Sequence, residues 1–391
     1  MTIGFAGMSH LGIVTSAAAA AKGFDVMSYG EPIAISEPGL PELLTSNRIR
    51  SVNDPSALQE CDLVVVSQDV PTNATNRSDL TGLRQLIAQL PPVKTLVILS
   101  QVTPGFTRSL NLPNVYYQVE TLIFGRAVER ALYPERFIVG CADPSAPLPD
   151  SYAKWLQAFA CPVLRMRYES AELAKISINM FLISSVATTN TLAELCETIG
   201  ADWSEIAPAL RLDKRIGPHA YLSPGLGIAG GNLERDLITV RTLSEQHGTD
   251  AGIVGAWLTN SRYRRDWVLR TLHAAVLAKT ARPVIAVWGL AYKQDTASTK
   301  NSPALAVLES LQEFPTQTYD PQVKGTVPSA LEACAGAAAL VVMTPWKEFS
   351  SYTAAQIRER MPGRVVIDPF GVLDGRALTA DGFSYHRLGG K

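Results

Sequence analysis

The feature that most constrains the fold lies near the start of the chain, where a short apolar run meets a glycine-bearing turn. Residues 3–6 run directly into Gly7-Met8-Ser9-His10-Leu11-Gly12, which leads into an alanine-rich stretch. Dinucleotide folds need glycine at such a turn because the backbone bends sharply and approaches a pyrophosphate on the N-terminus of the next helix. The usual middle glycine is Ser9 here. A plain strand-to-helix turn is the alternative, but position and context favour a dinucleotide site.

A second strand, predicted over residues 25–29, bears on the choice of cofactor. The carboxylate that would hold the ribose hydroxyls is missing from its end, because Gly30 follows the strand and Glu31 comes one place later. No arginine stands nearby to bind a 2′-phosphate. We therefore expect NAD rather than NADP as the cofactor.

Composition narrows the class of protein and its partners. A chain of 391 residues, 47% hydrophobic and 18% charged, predicts two or three folded domains. The net charge of −1, without a basic block, argues against a nucleic-acid partner. The five cysteines are scattered and form no CxxC pair, so we expect no disulfide framework, no metal site and a cytoplasmic location. The apolar start predicts a strand, turn and helix rather than a signal peptide, and no membrane span is expected.

The order of apolar runs predicts an α/β protein of three parts. Short apolar runs at 63–66, 95–99 and 137–139 alternate with helical stretches, which predicts a parallel sheet covered by helices. From about residue 170 to 279 the pattern is helical, with long segments at 171–199 and 251–277. Strand patterns return at 283–287, 339–343 and 365–367. We predict a Rossmann-like domain over 1–168, a helical domain over 169–279 and a smaller Rossmann-like domain over 280–391.

A series of motifs, in order along the chain, resembles the UDP-glucose/GDP-mannose dehydrogenase family. The matching segments are Glu37-Pro38-Gly39-Leu40, Val70-Pro71-Thr72, Ser100-Gln101-Val102-Thr103-Pro104-Gly105, Ala171-Glu172-Leu173-Ala174-Lys175, Arg215-Ile216-Gly217, Gly225-Leu226-Gly227-Ile228-Ala229-Gly230-Gly231, Gly289-Leu290-Ala291-Tyr292-Lys293 and Asn301-Ser302-Pro303-Ala304. The resemblance implies an N-terminal NAD domain, a dimerising helical middle and a C-terminal domain that shares in binding a UDP- or GDP-linked sugar. Family members oxidise the primary alcohol of the sugar twice, through a cysteine-bound thioester.

The resemblance also implies catalytic roles. Lys175 and Asn179 are four residues apart and share a helix face, where an ammonium and an amide can stabilise a developing alkoxide. Asp236 joins the acid–base network in the family. For these residues the alternatives are a solvated lysine, a surface amide and a carboxylate in the first turn of a helix.

The position of the family's nucleophile is changed in this chain. The family motif GGxCFxKD, aligned on its final aspartate, places Asn232 where the cysteine stands. An amide cannot form a thiohemiacetal, so we expect a single two-electron step. A helix N-cap in an inert family member is the alternative role for Asn232. Glu120 matches the first glutamate of the family's EFLxEG loop, where it serves water activation. We expect it to orient Lys175 or a sugar hydroxyl here, and Phe124 replaces the second glutamate.

The remaining site residues follow from the same motifs. For the cofactor we expect contacts from Gly7, Ser9, His10, Leu11, Gly12, Glu31, Val70, Pro71, Thr72, Ser100, Gln101 and Lys293. For the substrate we expect contacts from Lys175, Asn179, Arg215, Tyr221, Gly225, Gly230, Gly231 and Lys300. Arg215 resembles an arginine that reaches the substrate across a dimer interface, and Phe370 replaces an arginine of the family.

These features predict an NAD-dependent dehydrogenase that oxidises a nucleotide sugar by two electrons, with a secondary alcohol going to a ketone. Three other functions stay open at this point. They are a four-electron 6-dehydrogenase that gives a uronic acid, a non-catalytic nucleotide-sugar-binding homologue, and a β-hydroxyacid dehydrogenase. The last class lacks a nucleotide-binding third domain, which counts against it.

Overall fold

In the computed structural model, which describes residues 1–46, 49–73, 77–228 and 232–390, the first apolar run forms strand β1 (Thr2–Ala6). The alanine-rich stretch forms helix α1 (His10–Ala21). The following elements are β2 (Asp25–Tyr29), α2 (Leu40–Ser46), β3 (Ile49–Val52), β4 (Leu63–Val66), α3 (Thr81–Gln89), β5 (Leu96–Ile98), α4 (Phe106–Ser109), β6 (Val115–Gln118), α5 (Ala127–Leu132), β7 (Phe137–Cys141), α6 (Asp150–Gln157) and β8 (Val163–Arg167).

The first eight strands form one sheet, and its central strands are buried. Their order is β3-β2-β1-β4-β5-β6-β7-β8, and Ile3 of β1 pairs with Val26 of β2 and Leu63 of β4. Val65 packs in the same core as α1, whereas Val64 packs in the core on the opposite face. Because both of their faces are buried, β4 and β5 are continuous apolar runs in the sequence.

One neighbouring pair in this sheet departs from the parallel arrangement expected from the sequence. Strands β6 and β7 run antiparallel, and all other neighbours in the sheet are parallel. Helix α5 between them has six residues, whereas the four-residue helix α4 connects the parallel strands β5 and β6, so helix length does not set the direction of the next strand. The prediction of a fully parallel sheet was wrong at this pair.

The middle of the chain is helical, as predicted. Its helices are α7 (Tyr168–Ile199), α8 (Trp203–Leu212), α9 (Asn232–His247), α10 (Gly252–Arg265) and α11 (Trp267–Leu272), followed by a π-helical turn at His273–Leu277. The predicted helix over 251–277 is thus broken near Asp266.

The last part of the chain forms a second, smaller sheet. Its elements are β9 (Ile285–Trp288), α12 (Pro303–Ser310), β10 (Thr316–Tyr319), α13 (Ala330–Ala333), β11 (Ala339–Val342), α14 (Ala354–Arg360), β12 (Val365–Ile367), α15 (Gly375–Ala380) and β13 (Ser384–His386). The strand order is β10-β9-β11-β12-β13 with every pair parallel. The predicted fold class, with two α/β parts and a helical middle, is confirmed. The chain forms two compact units, Met1–Ile178 and Asn179–Lys391, and the division at residues 168 and 279 stays a prediction.

Helix α7 is longer than the other helices of the described chain. Its 32 residues include a stretch with a mean hydropathy of 1.2, so by length and composition alone it could cross a membrane. No such helix was predicted from the sequence. The core helix of a globular protein can have the same length and the same apolar composition. The helix also carries Glu172, Lys175, Glu194 and Glu197, whose charges are costly in a hydrocarbon layer.

Candidate active site

Two glycines of the loop between β1 and α1 stand where no larger residue fits. Gly7 has a φ of +89°, and a Cβ there would lie 2.8 Å from the backbone nitrogen of Gln68. A Cβ on Gly12 would lie 2.2 Å from the carbonyl oxygen of Gly7. The turn is therefore tight, and its backbone permits the close approach of a ligand.

The N-terminus of α1 lacks a side-chain cap. Ser9 occupies the N-cap position, but its hydroxyl donates to the carbonyl of Ser67 at 2.7 Å. No acidic residue lies in the first turn of this helix. Uncapped N–H groups and the positive end of the helix dipole favour an anion. Together with the two glycines, they fit the pyrophosphate of a dinucleotide.

The other cofactor residues predicted for the first unit follow the carboxyl ends of neighbouring strands. Val70-Pro71-Thr72 comes after β4, Ser100 and Gln101 come after β5, and the exposed Glu31 comes after β2. Strands β1 and β4 are adjacent although β2 and β3 intervene in sequence, so the strand order reverses at this edge. Ligands of open α/β sheets bind at such a point.

Lys175 and Glu120 form an ion pair in the first unit. Lys175 Nζ lies 3.5 Å from Glu120 Oε2, and the two side chains are 13% and 18% exposed. Glu120 also accepts the backbone N–H of Leu122. Each charge is thus partly removed from water together with an opposite charge, which holds the ammonium at a defined place.

Asn179, one turn beyond Lys175 on α7, belongs to a buried polar group of the second unit. Its Nδ2 donates to Asp236 Oδ2 at 2.6 Å, and both residues are buried. Arg235 is also buried, with its Nε 3.4 Å from Asp236 Oδ1 and its Nη2 without a partner in the described part of the chain. Arg235 was not predicted as a site residue, although it aligns with the lysine of the family motif GGxCFxKD.

Glu234 links the start of α9 to the loop that carries Lys300. Asn301 Nδ2 donates to Glu234 Oε2 at 2.8 Å, and Arg265 donates to the other oxygen of this carboxylate and to the carbonyl of Ile228. Asn232, the first residue of α9, has an exposed side chain. The predicted residues Gly230 and Gly231 lie outside the described residues.

The predicted substrate segment around residues 221–225 is held by α7. Thr189 Oγ1 donates to the carbonyl of Tyr221 at 3.1 Å, and the buried Asn190 accepts the N–H of Gly225 at 2.7 Å. Neither Thr189 nor Asn190 was predicted, because their roles depend on contacts 32 and 35 residues away. Arg215 lies elsewhere, 88% exposed and paired with Asp213 at 2.6 Å.

The two predicted lysines of the last part of the chain differ in environment. Lys293 is half-buried, with its ammonium 5.8 Å from the centroid of the Tyr292 ring. Lys300 is exposed. Within the described ranges we find no group of three or more His, Cys, Asp or Glu side chains arranged to hold a metal.

Comparison with known proteins identifies the family. Residues 169–262 match the central domain of the UDP-glucose/GDP-mannose dehydrogenase family, and residues 286–375 match its UDP-binding domain. The chain belongs to this family. The UDP-glucose 6-dehydrogenase of Rickettsia conorii is 27% identical over 90% of this chain and 87% of its own length. The UDP-glucose 6-dehydrogenase TuaD of Bacillus subtilis is 25% identical over 91% and 84%.

Solved structures show the same fold as this family member. A UDP-D-ManNAc dehydrogenase from Pyrococcus horikoshii superposes with a TM-score of 0.86 at 24% identity, covering 100% of this chain and 99% of that one. A UDP-glucose dehydrogenase from Pyrobaculum islandicum gives 0.83 at 22% identity, covering 100% and 98%. The resemblance expected from the motifs is therefore confirmed. The reaction type of the family is oxidation of a nucleotide sugar, generally with NAD.

No cysteine of this family member is set up as an alternative nucleophile to the missing one. Burial raises the pKa of the Cys61 thiol to about 11 and that of Cys334 to about 12. Burial also raises the pKa values of Cys141 and Cys161. Cys196 is buried on α7, 17 residues past Asn179 and so about 25 Å further along the helix. Nucleophilic thiols need the opposite, a lowered pKa and access to substrate.

Proposed function

We propose that this protein transfers one hydride from a nucleotide-activated sugar alcohol to NAD and stops at the carbonyl, with a secondary alcohol becoming a ketone. The observation that carries the proposal is Asn232 at the position of the family's nucleophilic cysteine. A carboxamide does not form the covalent adduct from which a second hydride leaves. Four of the five cysteines are buried, and burial raises the pKa of the thiols of Cys61, Cys141, Cys161 and Cys334, which supports the same conclusion.

In this proposal two side chains contact the reacting alcohol and two others hold them in place. Bound NAD supplies the nicotinamide that accepts the hydride, and the loop before α1 holds its pyrophosphate. Lys175 and Asn179 stabilise the alkoxide that develops as the hydroxyl proton leaves. Asp236 fixes Asn179 through their 2.6 Å hydrogen bond and receives the proton through a water. Glu120 holds the Lys175 ammonium in position.

We assign substrate binding to residues of the second unit. Tyr221 and the glycine segment from Gly225 to Gly231 receive the sugar and diphosphate, and Lys300 adds a positive charge. Arg215 reaches a substrate bound to a second copy of the chain, which accounts for its exposure here. Phe370 stands in place of an arginine of the family, and the proposal covers UDP- and GDP-linked sugars alike.

Counting NADH tests this function directly. We expect one NADH per sugar consumed when the protein is incubated with NAD and a panel of UDP- and GDP-linked sugars, with a ketone or aldehyde found by mass spectrometry. Reactions without sugar give the background. Two NADH per sugar with a sugar acid as product would establish a four-electron dehydrogenase instead. Tight binding of a nucleotide sugar without any NADH would establish a non-catalytic homologue.

The β-hydroxyacid dehydrogenase alternative has little support. Residues 286–375 match a UDP-binding domain, and β-hydroxyacid dehydrogenases do not need such a domain. We also propose a cytoplasmic location, on the basis of five unpaired cysteines.

We further propose a homodimer formed by α7. Phe181, Leu192, Leu195 and Ile199 lie on one face of this helix and are 77%, 41%, 50% and 64% exposed. A second copy of the same chain would cover this apolar face, and it would bring the exposed Arg215 to a second site.

Charge placed on this face should separate the copies. We expect Leu195→Glu to weaken the dimer by at least about tenfold, because a carboxylate would lose its water inside an apolar interface. Light scattering on a size-exclusion column measures the change. Leu305→Glu, at a similarly exposed leucine outside α7, should leave the dimer intact. A monomeric wild type, or a dimer indifferent to Leu195→Glu, would contradict this arrangement.

A further inference from the structure

A buried junction in the first unit joins the cofactor loop to the loop that carries Glu120. His10, the first residue of α1, places its Nε2 2.8 Å from Glu37 Oε1. Both side chains are almost fully buried, with 11% and 1% exposed. A buried carboxylate of this kind is costly unless every oxygen has a donor, so the arrangement around Glu37 is informative.

The other donors to Glu37 come from the loop between β6 and α5. Both carboxylate oxygens accept the N–H of Gly125 at 3.0 Å, and Oε2 also accepts the N–H of Ala127 at 3.4 Å. Ala127 begins α5, whose N-cap residue Arg126 gives no side-chain cap. Glu37 therefore caps this helix from a distant part of the chain and sets the end of the loop.

The ring of Phe124 packs against the same junction. Its ring centroid lies 4.4 Å from that of His10, at an interplanar angle of 43°. Phe124 stands where the family motif has its second glutamate, so a ring packs on His10 where the family would place another carboxylate. Glu120, paired with Lys175, lies four residues earlier in this loop.

We propose that His10 and Glu37 are positioning residues that couple cofactor binding to the placement of Glu120 and Lys175. His10 contributes its backbone to the uncapped first turn of α1, where the pyrophosphate fits, and its side chain to Glu37. A dinucleotide that fixes this turn also fixes the His10 ring, and through Glu37 it fixes Gly125, Ala127 and the loop before them. This inference rests on the proposed function only in taking a dinucleotide as the ligand of that turn.

Hydrogen exchange of the peptide covering residues 119–132 tests the coupling. We expect saturating NADH to slow exchange of this peptide by about tenfold in the wild type, since local opening must then break the junction. In His10→Ala, with NADH saturation confirmed by fluorescence, the slowing should fall below about twofold. His10→Gln, which keeps a donor for Glu37, should restore most of it. His247→Ala, in the second unit, is the matched control and should behave as wild type.

The outcomes separate this inference from the proposed function. Equal slowing by NADH in His10→Ala and in wild type would overturn the coupling, even in a protein that turns over nucleotide sugars. Faster exchange in His10→Ala with an unchanged response to NADH would also overturn it, because the junction would then be merely structural. NADH-dependent slowing that requires His10, in a protein that oxidises none of the sugars, would support the coupling and defeat the function. Absence of NADH binding to the wild type would overturn both.

Discussion

Replacing Lys175 by alanine is expected to lower kcat by about 10²–10³-fold while leaving the affinity for NADH nearly unchanged. The ammonium is the only positive charge that we assign to the developing alkoxide, and its loss removes stabilisation that exists mainly in the transition state. NADH binding should persist because the glycine turn and α1, to which we assign the dinucleotide, make no contact that depends on Lys175. Steady-state kinetics and a fluorescence titration with NADH measure the two effects.

Two further variants separate the effect on chemistry from the effect on folding. Lys154→Ala removes an exposed lysine of α6 and should retain full turnover. Lys175→Ala leaves Glu120 partly buried without its partner, which costs stability. The double variant Lys175→Ala/Glu120→Gln removes both charges, so it should recover thermal stability but not turnover. Normal turnover in Lys175→Ala would eliminate the catalytic role of this lysine.

The parts of the fold that could be predicted were those set by local chemistry. The turn from Gly7 to Gly12 follows from the backbone geometry that a strand-to-helix connection imposes, and the apolar runs of β1 and β4 follow from burial on both faces of the sheet. The antiparallel pairing of β6 and β7 was missed because a buried strand has the same apolar run whichever way it pairs with its neighbour. Neither apolar periodicity nor composition reports strand direction.

The polar residues that hold the site residues in place were harder to predict from the sequence. Glu37 was visible as part of a motif, but its function as a distant cap for α5 depends on a contact 90 residues away. Asn190 and Arg235 likewise depend on tertiary placement. By contrast, Lys175 and Asn179 were predictable as a pair because four residues on one helix fix their relation before any tertiary contact forms.

Asn232→Cys is expected to raise the yield from one NADH per sugar to two whenever the first product is an aldehyde. The new thiol would stand on the first residue of a 16-residue helix, and the buried guanidinium of Arg235 lies three residues further along. A helix N-terminus and a nearby cation both favour the thiolate. A thiohemiacetal forms when this sulfur adds to the aldehyde carbon, and that carbon then loses its remaining hydrogen as a second hydride.

The second step leaves a thioester, which water cleaves to a carboxylate. Glu120, which has no water to activate in the two-electron reaction that we propose, would regain that role in Asn232→Cys. Ultraviolet absorbance of NADH, with mass spectrometry of the sugar, gives the ratio and the product for a primary-alcohol probe such as UDP-glucose. Asn232→Ser is the matched control, since its hydroxyl lacks the acidity of a thiol and should leave the ratio at one.

Asn232→Cys also shows whether the natural substrate is oxidised at a primary or at a secondary alcohol. With a secondary alcohol the first product is a ketone, whose carbonyl carbon has no hydrogen left to give, so the ratio should stay at one even with a cysteine at residue 232. A ratio of one with an accumulated aldehyde in Asn232→Cys would contradict the assignment of this position to the nucleophile. A sugar acid produced by the wild type would contradict the two-electron reaction itself, because an amide would then have to be replaced by a nucleophile from elsewhere in the chain.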